Sequence, residues 1–160
     1  MFILIEFLFI LILGILFYQD IKQRKVFVWV LISGIVIGGI IHYLCQQPIV
    51  FLLNVGINIS FVVLIFIILW GYAKMKLKKK IFDVFGLGDL LFFTLLAVSL
   101  PLLSFLMVFV FSLIFSLVVF ILFKNRFSEK TVPLAGLQSL FLGLVFIANK
   151  LFSSIDIYAL

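Results

Sequence analysis

The amino-acid sequence describes an all-α, polytopic integral membrane protein with about six transmembrane helices. Of its 160 residues, 67% are hydrophobic and only 11% charged, whereas soluble domains are about 45–50% apolar and about 25% charged. A chain of this length cannot hide so much apolar side chain from water. The apolar residues also form runs close to the roughly 20 residues that a helix needs to cross a bilayer. Runs such as 61–69 are apolar on every face, which disfavours the polar–apolar alternation of a transmembrane β-barrel.

Six spans follow in order, at 2–18, 26–45, 49–73, 87–103, 104–123 and 132–148, within a single membrane domain covering 1–160. The first, fourth and sixth are short and call on local thinning or on polar neighbours at the interface. The first is not a cleavable signal, because it lacks a basic start and a small-residue cleavage site. The fourth and fifth adjoin, and the division falls near Ser99, Pro101 and Ser104.

Charge orients the spans. Lys22, Arg24 and Lys25 follow the first span. Lys74, Lys76, Lys78, Lys79 and Lys80 follow the third, and Lys124, Arg126 and Lys130 follow the fifth. Eleven of the twelve basic residues therefore fall in loops 19–25, 74–86 and 124–131, and only Lys150 lies beyond the sixth span. Excess Lys and Arg marks cytoplasmic loops, so both termini are expected on the other side. The net charge of +6 anchors the protein and attracts anionic lipids. It does not point to nucleic acid, because the basic runs are short and no reading domain accompanies them. Trp29 and Trp70 fall near the cytoplasmic ends of their spans, where amphipathic rings prefer the interface. His42 and the single Cys45 are read as structural, since one of each makes a poor metal site. No cofactor is expected.

Six acids remain: Glu6, Asp20, Asp83, Asp89, Glu129 and Asp156. A carboxylate near hydrocarbon is costly and asks for a reason. Asp20 lies at the inner end of span one, and Asp89 lies in Gly86-Leu87-Gly88-Asp89 at the inner start of span four. Both are expected at one depth. Two facing carboxylates share a proton, and their apparent pKa values split. One can then take a proton from water while the other donates to a peptide carbonyl and its leaving amine. Gly86 and Gly88 lack Cβ atoms and allow a bend or a close approach. The simpler alternative is a glycine-rich helix start with Asp89 as its first-turn acid.

These motifs resemble the type IV prepilin peptidases, which are intramembrane aspartyl proteases. Asp20 before a short basic loop resembles the family's first motif. Gly86-Leu87-Gly88-Asp89 matches its Gly-x-Gly-Asp motif, and Val132-Pro133 resembles its later Val/Ile-Pro segment. The likeness is to the short form, without the N-terminal cysteine-bearing region associated with methylation. It implies an endopeptidase of the bacterial inner or cytoplasmic membrane that removes short basic leaders from prepilin-like or pseudopilin substrates at the cytoplasmic face. Asp20 and Asp89 would be the catalytic pair, Gly86 and Gly88 would shape their loop, and Pro133 would be a structural residue nearby. The sequence departs from the pattern at Phe27 and Val28, where the family has proline and asparagine. It departs again at Leu91, where lysine is usual, and at Leu134-Ala135-Gly136, where Phe-Gly-Pro is common.

The other acids have local explanations. Asp83, six residues before Asp89, points from a different helical face and is read as a supporting acid or a partner of Lys79. Glu6 is about 21 Å from Asp20 along a helix and is read as an interface residue or an interhelical partner. Glu129 pairs within its basic loop, and Asp156 is solvated. Asn54, Asn58 and Gln138 suit interhelical hydrogen bonds. Two other function classes fit the same chain. One is an inactive membrane protein that assists pilus or secretion assembly. The other is a small transporter relaying protons through the paired acids.

Overall fold

The computed structural model describes residues 2–78, 86–123, 132–152 and 157–158. Among them the chain forms six α-helices and no strand: α1 (Phe2–Gln23), α2 (Val28–Cys45), α3 (Pro48–Tyr72), α4 (Leu87–Ser99), α5 (Leu102–Phe123) and α6 (Leu134–Leu151). A π-helical turn, Ala73–Leu77, continues α3. Five helices are long and apolar enough to cross a membrane, and α4 is shorter. The protein is an all-α polytopic membrane protein.

Helix ends differ from the expected spans by a few residues at most elements, and two of the differences bear on the site and the bundle. The sequence places the end of span one at 18, but α1 continues through Gln23, because no residue after Tyr18 breaks a helix. Asp20 therefore sits on the last helical turn and not in a loop. The sequence places the end of span four at 103, but α4 ends at Ser99 and α5 begins at Leu102. Pro101 explains the break. Proline drives the residue before it out of helical geometry, and Leu100 is extended at φ −130°, ψ 145°.

The helices pack chiefly as α1 on α6 and α2 on α4, with α1 against α2, α5 against α6 and α3 against α4. Their shared core holds Phe9, Leu13 and Leu16 of α1, Leu31 and Ile41 of α2, Phe92, Leu95 and Leu96 of α4, Phe105 of α5 and Leu142 of α6. The outward faces are lined with large apolar residues, as a hydrocarbon solvent allows. On α2, Gly34 and Gly38 form a small-xxx-small face that lets helices approach closely. A Cβ on Gly38 would stand 1.9 Å from Ser99 Oγ, so α4 seats against bare backbone there.

At 13 residues, α4 is about 20 Å long, too short for a hydrocarbon core of about 30 Å. Its last carbonyls therefore end inside the bundle, where unpaired backbone is costly. Side chains from elsewhere in the chain satisfy them. Asn58 Nδ2 of α3 donates to Ala97 O at 3.0 Å and to Leu100 O at 2.9 Å. His42 Nδ1 of α2 lies 2.8 Å from Val98 O. The Tyr158 hydroxyl donates to Ser99 O at 3.1 Å. His42 thus has the structural role expected of it, and Asn58 is an interhelical hydrogen-bond residue as its type suggested. Gln138 of α6 does the same, donating to Ser112 Oγ of α5 at 3.1 Å.

Candidate active site

Asp20 ends α1, and Asp89 is the third residue of α4. The bundle brings both to the N-terminus of α6. The first N–H groups of a helix have no partner within the helix and carry its positive dipole end. Pro133, the N-cap of α6, offers no side-chain bond to them. The two aspartates supply it from elsewhere in the chain. Gly136 N–H donates to Asp20 Oδ2 at 2.6 Å, and Ala135 N–H donates to Asp89 Oδ1 at 3.1 Å. Successive amides of one helix turn hold carboxylates that are 69 positions apart in sequence.

Asp20 is buried, at 8% exposure, and Asp89 is half-buried. Both line an open cavity of about 600 Å³ with Arg24, Lys25, Val26, Phe27, Gly86 and Ala135. Burial is the main influence on both carboxylates, and the charge of Asp20 acts further on Asp89. Trp29, 81% exposed, stands at the cavity with Val28 and Leu87. A cavity with an open mouth, two interacting carboxylates and apolar walls can admit a peptide segment and a water molecule. It can also move a proton between the two acids.

The glycines act differently from one another. Neither the Gly86 conformation, φ −69° and ψ 140°, nor that of any other described glycine lies at positive φ. The expected bend does not need them. Gly86 instead leaves room for a carboxylate, because a Cβ there would lie 3.2 Å from Asp89 Oδ2. Asp89 thus stands in the first turn of α4 while its carboxylate accepts from the first turn of α6. The first-turn role and the site role coexist in one side chain. At Gly88 a Cβ would meet only Val26, at 3.8 Å, an ordinary contact. Pro133 is buried beside the site, and its carbonyl accepts from Leu137 N–H at 3.0 Å.

Asp83 and Glu129 lie outside the described residues, as do Asp156, Lys79, Lys80 and the whole of loop 124–131. Glu6 is far from the pair and forms an ion pair with Lys150, tying α1 to α6 at the opposite end of the bundle.

Two residues at the site carried no signal that singled them out in the sequence. Gly136 is one. A Cβ there would stand 2.8 Å from Asp20 Cβ and 3.0 Å from its Oδ2, so only glycine fits. A glycine in the first turn after Pro133 was its only mark. Arg24 is the other. It ends α1 in the left-handed region at φ 53°, and its N–H closes the last turn onto Asp20 O at 3.1 Å. Glycine ordinarily fills that position. Comparison with protein-family models, with characterised proteins and with solved structures finds no match to this chain.

Proposed function

We propose that this protein is a membrane aspartyl endopeptidase that cleaves short basic leaders from prepilin-like substrates at the cytoplasmic face. One observation carries the reading: Asp20 and Asp89 meet in one open cavity, each fixed by a backbone amide of the same α6 turn. In this mechanism one carboxylate is ionised and takes a proton from water. The resulting hydroxide attacks the scissile carbonyl carbon, and the protonated carboxyl donates to the carbonyl oxygen. The C–N bond then breaks as a proton passes to the leaving amine, and the pair returns to its starting state. Activity requires one acid protonated and one ionised. It therefore falls at low pH, where both are protonated, and at high pH, where both are ionised.

The cytoplasmic placement rests on the eleven basic residues in the three loops at this end of the chain's spans. A basic leader meets Asp20 and Asp89 as its attracting groups among the described residues of the cavity, while the loops suit anionic lipid headgroups.

The test is incubation of the purified protein with prepilin-like proteins from the same genome, beside Asp20→Asn and Asp89→Asn. The expected outcome is leader removal by the wild type and a loss of at least about 10³-fold in either variant, with insertion unchanged. Full cleavage by either variant sinks the assignment. Normal pilus assembly in cells carrying both changes would favour a non-catalytic assembly role.

A further inference from the structure

Among the described α-helices, α4 alone is too short to be placed by the two membrane interfaces. Its sequence holds no charged residue besides Asp89, and no tryptophan or tyrosine that would anchor it at a headgroup level. Something else fixes how deep it sits, and with it the depth of Asp89 at its third position.

The tightest contacts lie at the far end of the helix. Gly34, Gly38 and Gly39 form a notch along α2, and α4 fills it. A Cβ on Gly34 would stand 2.7 Å from Leu95 Cδ1, and one on Gly39 would stand 2.9 Å from Val98 Cγ1. One on Gly38 would stand 1.9 Å from Ser99 Oγ and 2.8 Å from Ser99 Cβ. Ser99 is fully buried. Its carbonyl accepts from the Tyr158 hydroxyl at 3.1 Å, and the segment carrying that hydroxyl is itself tied down. Gln46 Nε2 donates to Tyr158 O, Ser104 Oγ donates to Ile157 O, and Ile157 N–H donates to Asn149 Oδ1. At the inner end the fit is looser. A Cβ on Gly88 would meet Val26 only at 3.8 Å, and the bond across to α6 is the one made by Asp89 itself.

We infer that Ser99 is a positioning residue: seated in the Gly38 notch and held at its carbonyl by Tyr158, it sets the depth of α4 and so brings Asp89 level with Asp20 at the α6 turn. Asp89 and Ser99 are joined by about 15 Å of continuous helix. A close-packed interior transmits strain, so a displacement at Ser99 reaches Asp89. The chemical consequence rests on the proposed peptidase reading, in which both carboxylates must reach one water and one carbonyl. A shift near 1 Å at a reacting group lowers the rate about 100-fold. The outer end of the bundle then governs turnover at the inner end without touching substrate.

The experiment compares full-length wild type, Gly38→Ala, Ser99→Gly, the double variant and Tyr158→Phe in lipid nanodiscs, with leader removal from a prepilin-like substrate as the activity. Gly38→Ala drives a methyl group into Ser99. Its kcat is expected to fall about 10- to 100-fold, with KM within about twofold of wild type. Ser99→Gly removes the atoms that the methyl group meets there. Adding Gly38→Ala to Ser99→Gly should therefore change kcat by less than about threefold. Tyr158→Phe keeps the ring and drops the bond to Ser99 O, and kcat is expected to fall about three- to tenfold. Wild-type cleavage by an inserted Gly38→Ala overturns the inference, as does an equal loss from Gly38→Ala with and without the Ser99 side chain.

Spin labels on cysteines placed at Ile3 and Leu87, two exposed residues, give a readout that needs no turnover, in a Cys45→Ser background. They report the depth of the α4 start against the outer end of α1. The distance should change by about 1.5 Å, the rise of one helical residue, in Gly38→Ala, and return in the double variant. An unchanged distance in both Gly38→Ala and Tyr158→Phe overturns the inference even where activity falls. If Gly38→Ala fails to insert, Tyr158→Phe decides, and wild-type kcat with an unchanged distance overturns it. A shifted distance in a protein whose wild type cleaves nothing supports the positioning of α4 and rejects the peptidase reading instead.

Discussion

Asp20 and Gly136 are one fitted unit at the residue scale. The carboxylate can reach the α6 amide because the residue presenting that amide has no side chain. Gly136→Ala adds a Cβ 2.8 Å from Asp20 Cβ, and both atoms belong to rigid parts of their residues. Overpacking of this kind costs about 1–3 kcal/mol, and it also moves Asp20 off its amide. Displacements near 1 Å at a reacting group lower rates by about 100-fold. We expect Gly136→Ala to insert normally and to lose about 10- to 100-fold of its cleavage rate, measured on the same prepilin-like substrate. Gly88→Ala is the control, because its Cβ enters ordinary contact and the rate should stay within about threefold unless a substrate strand lies against it.

Helix ends are satisfied at the element scale by side chains from other parts of the chain. The first turn of α6 is capped by acids from α1 and α4. The first residue before α2, Phe27, donates its N–H to Gln19 Oε1 of α1 at 3.2 Å. The last turn of α4 is closed by Asn58, His42 and Tyr158. The α4 case follows from length. A helix that stops inside the bundle must find donors there, and two of its carbonyls depend on one amide group. Asn58→Leu leaves Ala97 O and Leu100 O without that donor, and the cost should be about 1–3 kcal/mol. Reversible unfolding in mixed micelles would measure it. Ser60→Ala provides the comparison, since Ser60 on the exposed face bonds only Gly56 O of its own helix, and should change stability by less than about 0.5 kcal/mol. Equal losses from the two changes would remove the closing role of Asn58.

Charge and aromatic residues mark one end of the whole molecule. Lys22 lies over the Tyr18 ring, Lys74 over Trp70 and Lys76 over Tyr72, at 5.1, 5.0 and 5.8 Å from the ring centroids. Such pairs suit the headgroup level of a bilayer. The cavity with Asp20 and Asp89 opens at this end, and the Glu6–Lys150 pair lies at the other. Cys45, the single cysteine in the sequence and an exposed one, ends α2 away from the basic loops. The positive-inside reading therefore expects a membrane-impermeant maleimide to label Cys45 from outside intact cells and a cysteine placed at Lys25, in a Cys45→Ser background, only after lysis. The reverse pattern would invert the topology and move the cavity out of the cytoplasm.

Much of this was legible in the sequence. Apolar runs longer than a core helix, with charge confined between them, leave a bilayer as the only solvent that fits, so the all-α membrane class follows from composition and spacing. Pro101 lies in the stretch where the sequence divides the fourth and fifth spans, and its ring ends α4 by acting on its immediate neighbour. Asp20 and Asp89 stood out because acids are scarce in such a chain and costly near hydrocarbon. Those are local properties, written in the order of residues. The tertiary structure alone decided that the two acids share one turn of α6, that Gly136 makes room for Asp20, and that His42 and Asn58 close α4. Each of these is a pairing between residues distant in the chain, fixed by which helices pack together. Hydrophobic periodicity cannot specify that packing when nearly every face of every helix is apolar.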